Sequence, residues 1–326
     1  MGRTIIRNIL VPIDFSKMSI EAIGIAKRLA DGFDATIHLV HVHQFSYPAT
    51  FMGPIFSAGE LPESFEEHRS KQLAEQLTAI ASKSGLSPRD QTHLRTGAAP
   101  FDEICRLAQK ISADLIVMPT HGYTGLKHVL LGSTAERVVQ HSPCPVFVAR
   151  QKKRKPEAGP AFRANRILVP VDFSNCSLDG LNYAMKFADS VESGNVGITL
   201  LHGVHLAAYI GGGYAYDLSN LEEAARKSAQ QQMQDFVRLA KFGDVTFETV
   251  ITTGPPVQEI CSFAEDKDID LIITSTHGLT GFKHVLIGSI AEQVVRHAPC
   301  SALVVPSHPR IRVATLAKPA GRRRGK

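Results

Sequence analysis

The sequence lacks the features that mark membrane-spanning and exported chains. No run of apolar residues reaches the roughly 18 positions needed to cross a bilayer. The opening MGRTIIRNILVPIDFS has no signal-peptide pattern, because its apolar run leads directly into a strand and a turn. Ile6 stands where N-myristoylation requires Ser or Thr. With 44% hydrophobic and 21% charged residues, the chain has the composition of a soluble globular protein. We therefore expect a cytoplasmic protein without a membrane partner.

Cysteine is scarce, and its spacing excludes a disulfide framework. The five cysteines contain no CxxC pair. Cys105 and Cys261 occupy matching places in two parts of the chain, as do Cys144 and Cys300, and all four lie in apolar helical or strand-like contexts. A thiol in such a context behaves as a small hydrophobic group. We expect reduced, structural cysteines.

The positive charge of the chain is concentrated in two short segments. Residues 152–155 contribute four Lys or Arg side chains, and residues 322–326 contribute four more. Without these eight charges, the net charge of +5 becomes −3. A mildly acidic body with basic flanking segments argues against a folded nucleic-acid-binding surface. We expect both segments to be solvated, with no nucleic-acid partner.

The chain contains an internal duplication. Residues 120–144 and 276–300 align without a gap and share 18 of 25 residues, and NILVPIDFS at 8–16 matches RILVPVDFS at 166–174. The repeated unit of about 145 residues is much longer than a solenoid repeat. We predict one domain at 1–150, a Lys/Pro/Gly-containing linker at 151–164, a second domain at 165–308 and a disordered basic tail at 309–326.

Each half alternates predicted strands and helices. Ser16 stands where an N-cap begins the helix KMSIEAIGIAKRLA, whose Ile20, Ile23, Ala26 and Ala30 form one apolar face. DLIVMPT is a continuous apolar run of the kind that occurs inside parallel sheets. The alternation predicts an α/β fold with right-handed crossovers and a five-stranded, doubly wound parallel sheet in each half.

Candidate binding residues follow the first and fourth predicted strands of each half. Ligands of open parallel sheets bind beyond the carboxyl ends of the strands, where the strand order reverses. If these two strands are neighbours, Asp14 and the loop at 119–133 line one crevice, and Asp172 and the loop at 275–289 line another. An ionised carboxylate accepts hydrogen bonds from ribose hydroxyls.

The repeated loop ends in Gly132-Ser133, directly before a predicted helix. A helix start presents unpaired amides and the positive end of the helix dipole, and both favour a phosphate group. Two alternatives remain open on these residues. Ser133 to Glu136 also has the pattern of a capping box, which needs no ligand. That pattern does not explain Gly122 and Gly132, which recur in the second copy.

Histidine pairs at two predicted strand ends raise the alternative of a metal site. His41 and His43 differ in spacing from His202 and His205, and no Cys or carboxylate accompanies them at metal-binding spacing. We predict no metal there, and strand-end histidines that bond to their neighbours. Other basic side chains belong to the repeated loop and are candidates for phosphate contact; they are His121, Lys127, His128, His277, Lys283 and His284.

At these motifs the sequence resembles the universal stress protein family, as a tandem pair. The resemblance extends over both halves through ILVPxDFS, the second-strand LVHV and LLHG, and the block THGxTGxKHVLxGSxAExVVxHxPC. It implies strand order 3-2-1-4-5, a role in stress adaptation, and dimer-type pairing through the last strands. Here the paired strands are expected to be PVFVAR and SALVVP of one chain, which forms an intrachain pseudo-dimer, and a homodimer is a further possibility.

The ATP-binding branch of that family has a phosphate loop of Gly, two residues, Gly, nine residues, Gly, and then Ser or Thr. The nucleotide-binding positions that the resemblance implies in the first half are Pro12, Ile13, Asp14, Val42, His121, Gly122, Gly132, Ser133 and Thr134. Those in the second half are Pro170, Val171, Asp172, Gly203, His277, Gly278, Gly288, Ser289 and Ile290.

Both halves depart from the family pattern. The first loop glycine is replaced by Pro119 in one half and by Ser275 in the other. Proline has no N–H to donate, and serine does not freely adopt φ > 0. Gly203, in place of a valine, removes an apolar contact with the base. We expect the two sites to differ in affinity.

The predicted function is binding of ATP or a related adenine nucleotide, alone or with Mg²⁺, in a regulatory stress-response protein. We expect the connectors 44–65 and 206–220 to act as lids. The alternative is a dimerising regulatory or interaction module that binds no nucleotide. Sequence places no residue as a general base, so at most slow ATP hydrolysis is expected, and no catalytic residue is assigned.

Overall fold

A computed structural model describes residues 5–44, 63–120, 131–150, 164–190, 196–205, 218–240, 245–276 and 288–307. Strands and helices alternate through both halves. The elements of the first half are β1 (Asn8–Pro12), α1 (Lys17–Phe33), β2 (Thr36–His43), α2 (Glu63–Lys83), β3 (Gln91–Thr96), α3 (Pro100–Lys110), β4 (Leu115–Pro119), α4 (Ser133–His141) and β5 (Val146–Ala149). Those of the second half are β6 (Arg166–Pro170), α5 (Asn175–Ser190), β7 (Gly197–Val204), α6 (Leu218–Leu239), β8 (Thr246–Thr253), α7 (Pro256–Asp266), β9 (Leu271–Ser275), α8 (Ser289–His297) and β10 (Ser301–Val305).

The ten strands form one sheet, in the order β3-β2-β1-β4-β5-β10-β9-β6-β7-β8. Each half therefore has five strands in the order 3-2-1-4-5, all parallel within the half. This confirms the predicted fold class and strand order. Since β1 lies between β2 and β4, and β6 lies between β7 and β9, each half has a reversal of strand order of the kind where ligands bind.

Helices cover both faces of the sheet. The helices α1, α2, α5 and α6 pack on one face, around a core that includes Leu29, Leu181 and Phe236. The helices α3 and α4 pack on the other face of the first half, where Ile104 and Val138 are buried. The helices α7 and α8 cover that same face of the second half. Nearly every residue of β4 and β9 is buried, as the continuous apolar run predicts.

The two halves join through their last strands. Phe147 of β5 pairs with Leu303 of β10 in an antiparallel ladder, which is the pairing that the resemblance implies. Phe33 of α1 and Phe187 of α5 meet across the same boundary, with ring centroids 5.6 Å apart. One core contains side chains from both halves, so the boundary is part of the hydrophobic interior.

Polar contacts reinforce this boundary on the face of α4 and α8. Nη2 of Arg150 donates to the carbonyl oxygens of Val295 and Arg296 at the end of α8, at 3.2 and 2.8 Å. A guanidinium placed at a helix C-terminus also interacts favourably with the helix dipole. Arg296 in turn lies 3.5 Å from Glu136 of α4 and 2.8 Å from Glu292. The last helix of each half is thereby connected to the other half.

An aspartate holds the start of the first strand in each half. Oδ2 of Asp114 accepts the main-chain amides of Arg7 and Asn8, at 2.9 and 3.0 Å. Asp270 accepts those of Asn165 and Arg166 in the same way, both at 3.0 Å. These bonds fix the register of β1 against β4 and of β6 against β9, and so align the strand ends at the opposite edge.

The predicted start of α1 is confirmed, and one predicted core residue is wrong. Ser16 is the N-cap, and its hydroxyl accepts the amide of Ser19. Ile23, Ala26 and Ala30 are buried, but Ile20 is 39% exposed, because it lies beside the buried face of α1, which begins in the first turn with Ser19. Among the described residues, no helix is both long and apolar enough to cross a membrane.

Candidate functional site

The first and sixth strands end in the same tight turn. The amide of Ile13 donates to the carbonyl of Val40 (2.7 Å), and that of Val171 donates to Leu201 (2.9 Å), so each chain continues beside the second strand for one more residue. An aspartate follows at once. Oδ1 of Asp14 accepts the amide of Ser16 at 3.0 Å, and this bond orients the carboxylate at the carboxyl edge of the sheet.

The second copy of this turn holds its aspartate in the same way. Oδ1 of Asp172 accepts both the amide of Ser174, at 3.1 Å, and its hydroxyl, at 2.6 Å. The Ser174 hydroxyl also accepts the amide of Ser177 as the cap of α5. The same motif therefore fixes a carboxylate and starts a helix in both halves.

A histidine and a phenylalanine hold each turn, and sequence reasoning did not predict this role. Phe15 and Phe173 both have φ of 65°, in the left-handed region that non-glycine residues rarely adopt. The rings of Phe15 and His41 lie 4.3 Å apart, as do those of Phe173 and His202. The signal that could have revealed the contact is the repetition of DFS with a histidine in the next strand.

The histidines of these pairs also bond to the turn. Nδ1 of His41 donates to the carbonyl of Ile13 at 2.7 Å, and Nδ1 of His202 donates to that of Val171 at 2.8 Å. Because a carbonyl only accepts, Nδ1 carries the proton. Burial lowers the pKa of His41, although the bond to Ile13 and the charge of Asp14 oppose this shift. The prediction that strand-end histidines bond to neighbours is confirmed for His41 and His202.

The fourth and ninth strands lead towards glycine-capped helices. Gly132 is the N-cap of α4 and donates its amide to the carbonyl of Thr120 at 2.8 Å. Gly288 is the N-cap of α8 and donates to Thr276. Both threonines are buried. Since β4 lies beside β1 and β9 beside β6, each helix start and the adjacent aspartate turn lie at the same edge of the sheet.

The proposed capping box is not formed. Ser133 and Ser289 are the first residues of α4 and α8, after the glycine caps, and neither helix has a side-chain cap. The capping pattern was therefore placed one residue too far along the chain. Because glycine caps only through its main chain, no side chain occupies the first amides of these helices within the described residues. A phosphate is the kind of group that such a helix start binds.

The predicted binding positions divide into described and undescribed residues. Pro12 and Pro170 end β1 and β6, while Thr134 and Ile290 lie in the first turns of α4 and α8. Ile290 is 43% exposed. Several predicted loop residues lie outside the described part of the chain; they are His121, Gly122, Lys127, His128, His277, Gly278, Lys283 and His284.

The substituted loop positions belong to strands. Pro119 is the last residue of β4 and pairs with Ala149, and Ser275 is the last residue of β9 and pairs with Val305. Neither residue has positive φ among the described residues, so serine meets no backbone strain there. Proline still removes one donor from the crevice of the first half.

The second-strand positions differ between the halves. Val42 packs against the core beneath α3 and α4. A Cβ built at Gly203 would lie 3.4 Å from Cα of Pro256, the first residue of α7. The first half thus presents an apolar side chain at this place, and the second presents main chain beside the start of α7.

All five cysteines are free thiols. Burial raises the pKa of Cys105 to about 12, and the nearby carboxylate of Asp102 adds to the rise. Burial also raises the pKa of Cys144 to about 12 and raises that of Cys261. Thiols that stay protonated are poor nucleophiles and metal ligands, so the predicted structural role of the buried cysteines holds.

Comparison with known proteins identifies relatives for both halves. The model of the universal stress protein family matches residues 6–150 and 164–306. The chain is 34% identical over 155 residues to a universal stress protein of Methanocaldococcus jannaschii, which covers 47% of this chain and 88% of that protein. It is 31% identical over 147 residues to universal stress protein G of Escherichia coli O157:H7. The match covers 44% of this chain and 99% of that protein.

A solved structure shares the arrangement of the whole chain. The universal stress protein of Archaeoglobus fulgidus superposes with a TM-score of 0.58 at 18% identity and covers 92% of this chain and 96% of that one. This likeness concerns the fold. Together with two matches of the family model, in each of which an aspartate turn lies beside a glycine-capped helix, it leads to one conclusion: the chain belongs to the universal stress protein family, with two copies of the family domain in tandem.

Proposed function

We propose that each half binds an adenine nucleotide, ATP or a close relative, and that the bound state serves a regulatory role in stress adaptation. One observation carries the proposal. In both halves an oriented aspartate and a helix start without a side-chain cap follow neighbouring strands at the carboxyl edge of the sheet. A carboxylate for ribose hydroxyls and free amides for phosphates are the two kinds of group that a nucleotide requires.

The residues have distinct roles in this proposal. The first amides of α4 and α8, with the hydroxyls of Ser133 and Ser289, hold the phosphates, and Asp14 and Asp172 accept from the ribose. The base lies towards the second strand. No group of three His, Cys, Asp or Glu side chains suited to a metal occurs among the described residues. An accompanying Mg²⁺ would therefore take most of its ligands from phosphate oxygens and water.

Binding without efficient turnover suits this site. Hydrolysis of a phosphoanhydride is promoted by a group that orients or deprotonates the attacking water. In this proposal the carboxylates, which serine amides hold, bond to the ribose and not to the attacking water. We propose at most slow release of phosphate, measurable as free phosphate over hours with purified protein and ATP.

Calorimetric titration with ATP tests the proposal, after mass spectrometry of any ligand released from freshly purified protein. Ser133→Ala and Ser289→Ala should each weaken one of two binding events by about 10- to 100-fold, since a hydrogen bond to a charged group contributes roughly 1.5–3 kcal/mol. Absence of binding heat, with no co-purified nucleotide, would overturn the proposal. Such a result would favour the alternative, a dimerising interaction module that binds no nucleotide. In the first half, the missing main-chain donor at Pro119 supports that alternative.

The lid hypothesis concerns connectors that lie almost wholly outside the described residues, at 45–62 and 206–217. We propose that bound nucleotide orders them. Limited proteolysis with and without ATP should show protection of cleavage sites within both connectors. Cleavage at unchanged rates under saturating ATP would contradict a lid.

A further inference from the structure

The strand β8 forms one open edge of the ten-stranded sheet. It pairs with β7 on one side, and no second strand lies beside it among the residues that the structure describes. All of its residues, from Thr246 to Thr253, are in continuous register with β7, and the first four are exposed. A regular edge strand of this kind presents unpaired amides and carbonyls to which another strand can bond.

The sequence of β8 lacks the usual protection of a sheet edge. Proteins commonly block such edges with Lys, Pro, a bulge or a very short strand. The strand TFETVITT contains neither Lys nor Pro, and every residue except Glu248 is of a type that favours strands. The carboxylate of Glu248 accepts the hydroxyl of Thr199 in β7 at 2.8 Å. The one charge of the strand is therefore bonded to the neighbouring strand.

The other edge of the sheet, β3, is shorter and carries more charge. Its six residues, Gln91–Thr96, include His93 and Arg95. A basic side chain on an edge strand opposes pairing with a further strand. Thr92 occupies in β3 the place that Thr249 has in β8, and both are exposed. The same strand of the duplicated domain is therefore protected in the first half and open in the second.

Exposed apolar side chains accompany this open strand. Phe247 is 39% exposed, and Leu239, the last residue of the neighbouring helix α6, is 66% exposed. Phe247 and Ile251 lie on the same face of β8, because they are four positions apart. Ile251 packs against the core that α6 covers, so both residues belong to the face of α6. Exposed apolar groups beside an unpaired strand favour association with another chain.

We propose that β8 pairs antiparallel with β8 of a second copy of this chain, about a two-fold axis at Thr249. The strand is complementary to itself in this register. When Thr249 faces Thr249, Phe247 faces Ile251 of the second copy, and the symmetry repeats this contact. Threonine pairs and aromatic pairs with β-branched residues stabilise antiparallel strands. Glu248 faces Val250, so the two carboxylates are not directly opposite.

The occupant is a second copy because the rest of the molecule leaves this surface for it. The last strands, β5 and β10, already pair with each other inside the chain and are not available to another copy. An axis perpendicular to the sheet keeps both α6 helices on one face and both α7 helices on the other. Two sheets then join into one, with β3 at each end. This pairing does not depend on nucleotide binding.

A charge exchange at the two-fold axis tests the proposal in the full-length chain. Thr249→Lys places two cations opposite each other, and Thr249→Glu places two carboxylates there. Sedimentation velocity over a range of micromolar concentrations at low ionic strength measures the dissociation constant of the dimer. Thr92→Lys is the matched control, because it makes the same change at the corresponding exposed position of β3.

Each Thr249 variant alone should raise the dissociation constant by about 10-fold or more, because like charges then face each other. An equimolar mixture of the two should restore the dimer, since a lysine then faces a glutamate. Thr92→Lys should leave the dissociation constant unchanged. Phe247→Ala removes a contact that occurs twice and should raise the constant by about 3- to 10-fold. This exposed position serves as the second test if a charged variant does not fold, as judged by circular dichroism.

Three results would overturn the pairing of β8 with itself. The first is an unsubstituted chain that stays monomeric over the whole concentration range. The second is a dimer that persists in folded Thr249 and Phe247 variants, or a mixture of charged variants that does not recover. The third is a dimer that the Thr249 variants keep and that a chain ending at Ser307 loses, which would assign the contact to the basic tail. None of these results bears on nucleotide binding.

Discussion

At the scale of single residues, most candidate binding positions repeat between the halves, but one buried cluster does not. His38 is buried, and its Nδ1 lies 3.1 Å from Nε2 of His93. Nε2 of His38 lies 3.4 Å from the side-chain oxygen of Asn8. The second half has Thr199 in the place of His38, and its hydroxyl donates to Glu248 at 2.8 Å. Within the described residues, the His38–His93 pair of the first half therefore has no counterpart at the matching strand positions of the second half.

This cluster makes the first half sensitive to acid. Burial lowers the pKa of His38, against the opposing charge of Asp90. Burial also lowers the pKa of His93, and the charges of His38, Arg95 and Lys110 lower it further. A histidine whose pKa is lower in the folded than in the unfolded chain binds its proton preferentially when unfolded. The contribution of the two histidines to folding stability is complete above pH 6.5, the ordinary pKa of histidine, and is lost as the pH falls below that value.

We expect the free energy of unfolding to decrease between pH 7.5 and pH 5. The double variant His38→Thr/His93→Val has the residue types that the second half carries at the matching positions, Thr199 and Val250. Its free energy of unfolding should decrease less over the same range. Urea unfolding followed by circular dichroism at several pH values measures both. Equal losses in the two proteins would show that the histidine pair does not contribute to acid sensitivity.

At the scale of elements, repetition and periodicity predicted the strands and their order, because buried parallel strands give continuous apolar runs such as DLIVMPT. They failed at two helix starts. Ile20 has helical spacing to Ile23, but the buried face of α1 is centred on Ser19, Ala22 and Ala26, and Ile20 lies beside it. The capping pattern at Ser133 was misplaced because glycine caps a helix through its main chain and leaves no side-chain signal.

The site was partly predictable for a related reason. Asp14 and Gly132 could be associated because the carboxyl ends of neighbouring parallel strands meet at one edge. The left-handed conformation of Phe15 and its contact with His41 could not be predicted, because tertiary packing determines both.

The pairing of β5 with β10 should dominate stability. Phe147 in β5 is fully buried. Phe147→Ala should lower the free energy of unfolding by about 3–5 kcal/mol, as expected for removal of a large side chain from a packed interior. Phe247→Ala is the control, because Phe247 is 39% exposed, and its loss should be about 1 kcal/mol or less. Similar losses in urea unfolding would contradict a central role for the pairing of the two halves.

At the scale of the whole molecule, the ten-stranded sheet and its shared core predict one unfolding transition. Neither half keeps a complete interior alone, since one core contains residues of both. Scanning calorimetry should give a calorimetric enthalpy equal to the van't Hoff enthalpy. Circular dichroism is the suitable second probe, because the chain has no tryptophan. Two resolved transitions, or a calorimetric enthalpy near twice the van't Hoff enthalpy, would show that the halves unfold independently.

The antiparallel contact between β5 and β10 also determines the direction in which each crevice opens. All strands of one half run against those of the other, so the two carboxyl edges are on opposite sides of the molecule. The helices α4 and α8, nine residues each, run in opposite senses, and each spans about 14 Å. A group bound in one crevice would therefore lie at the opposite edge of the sheet from a group bound in the other, and the two could not contact each other directly.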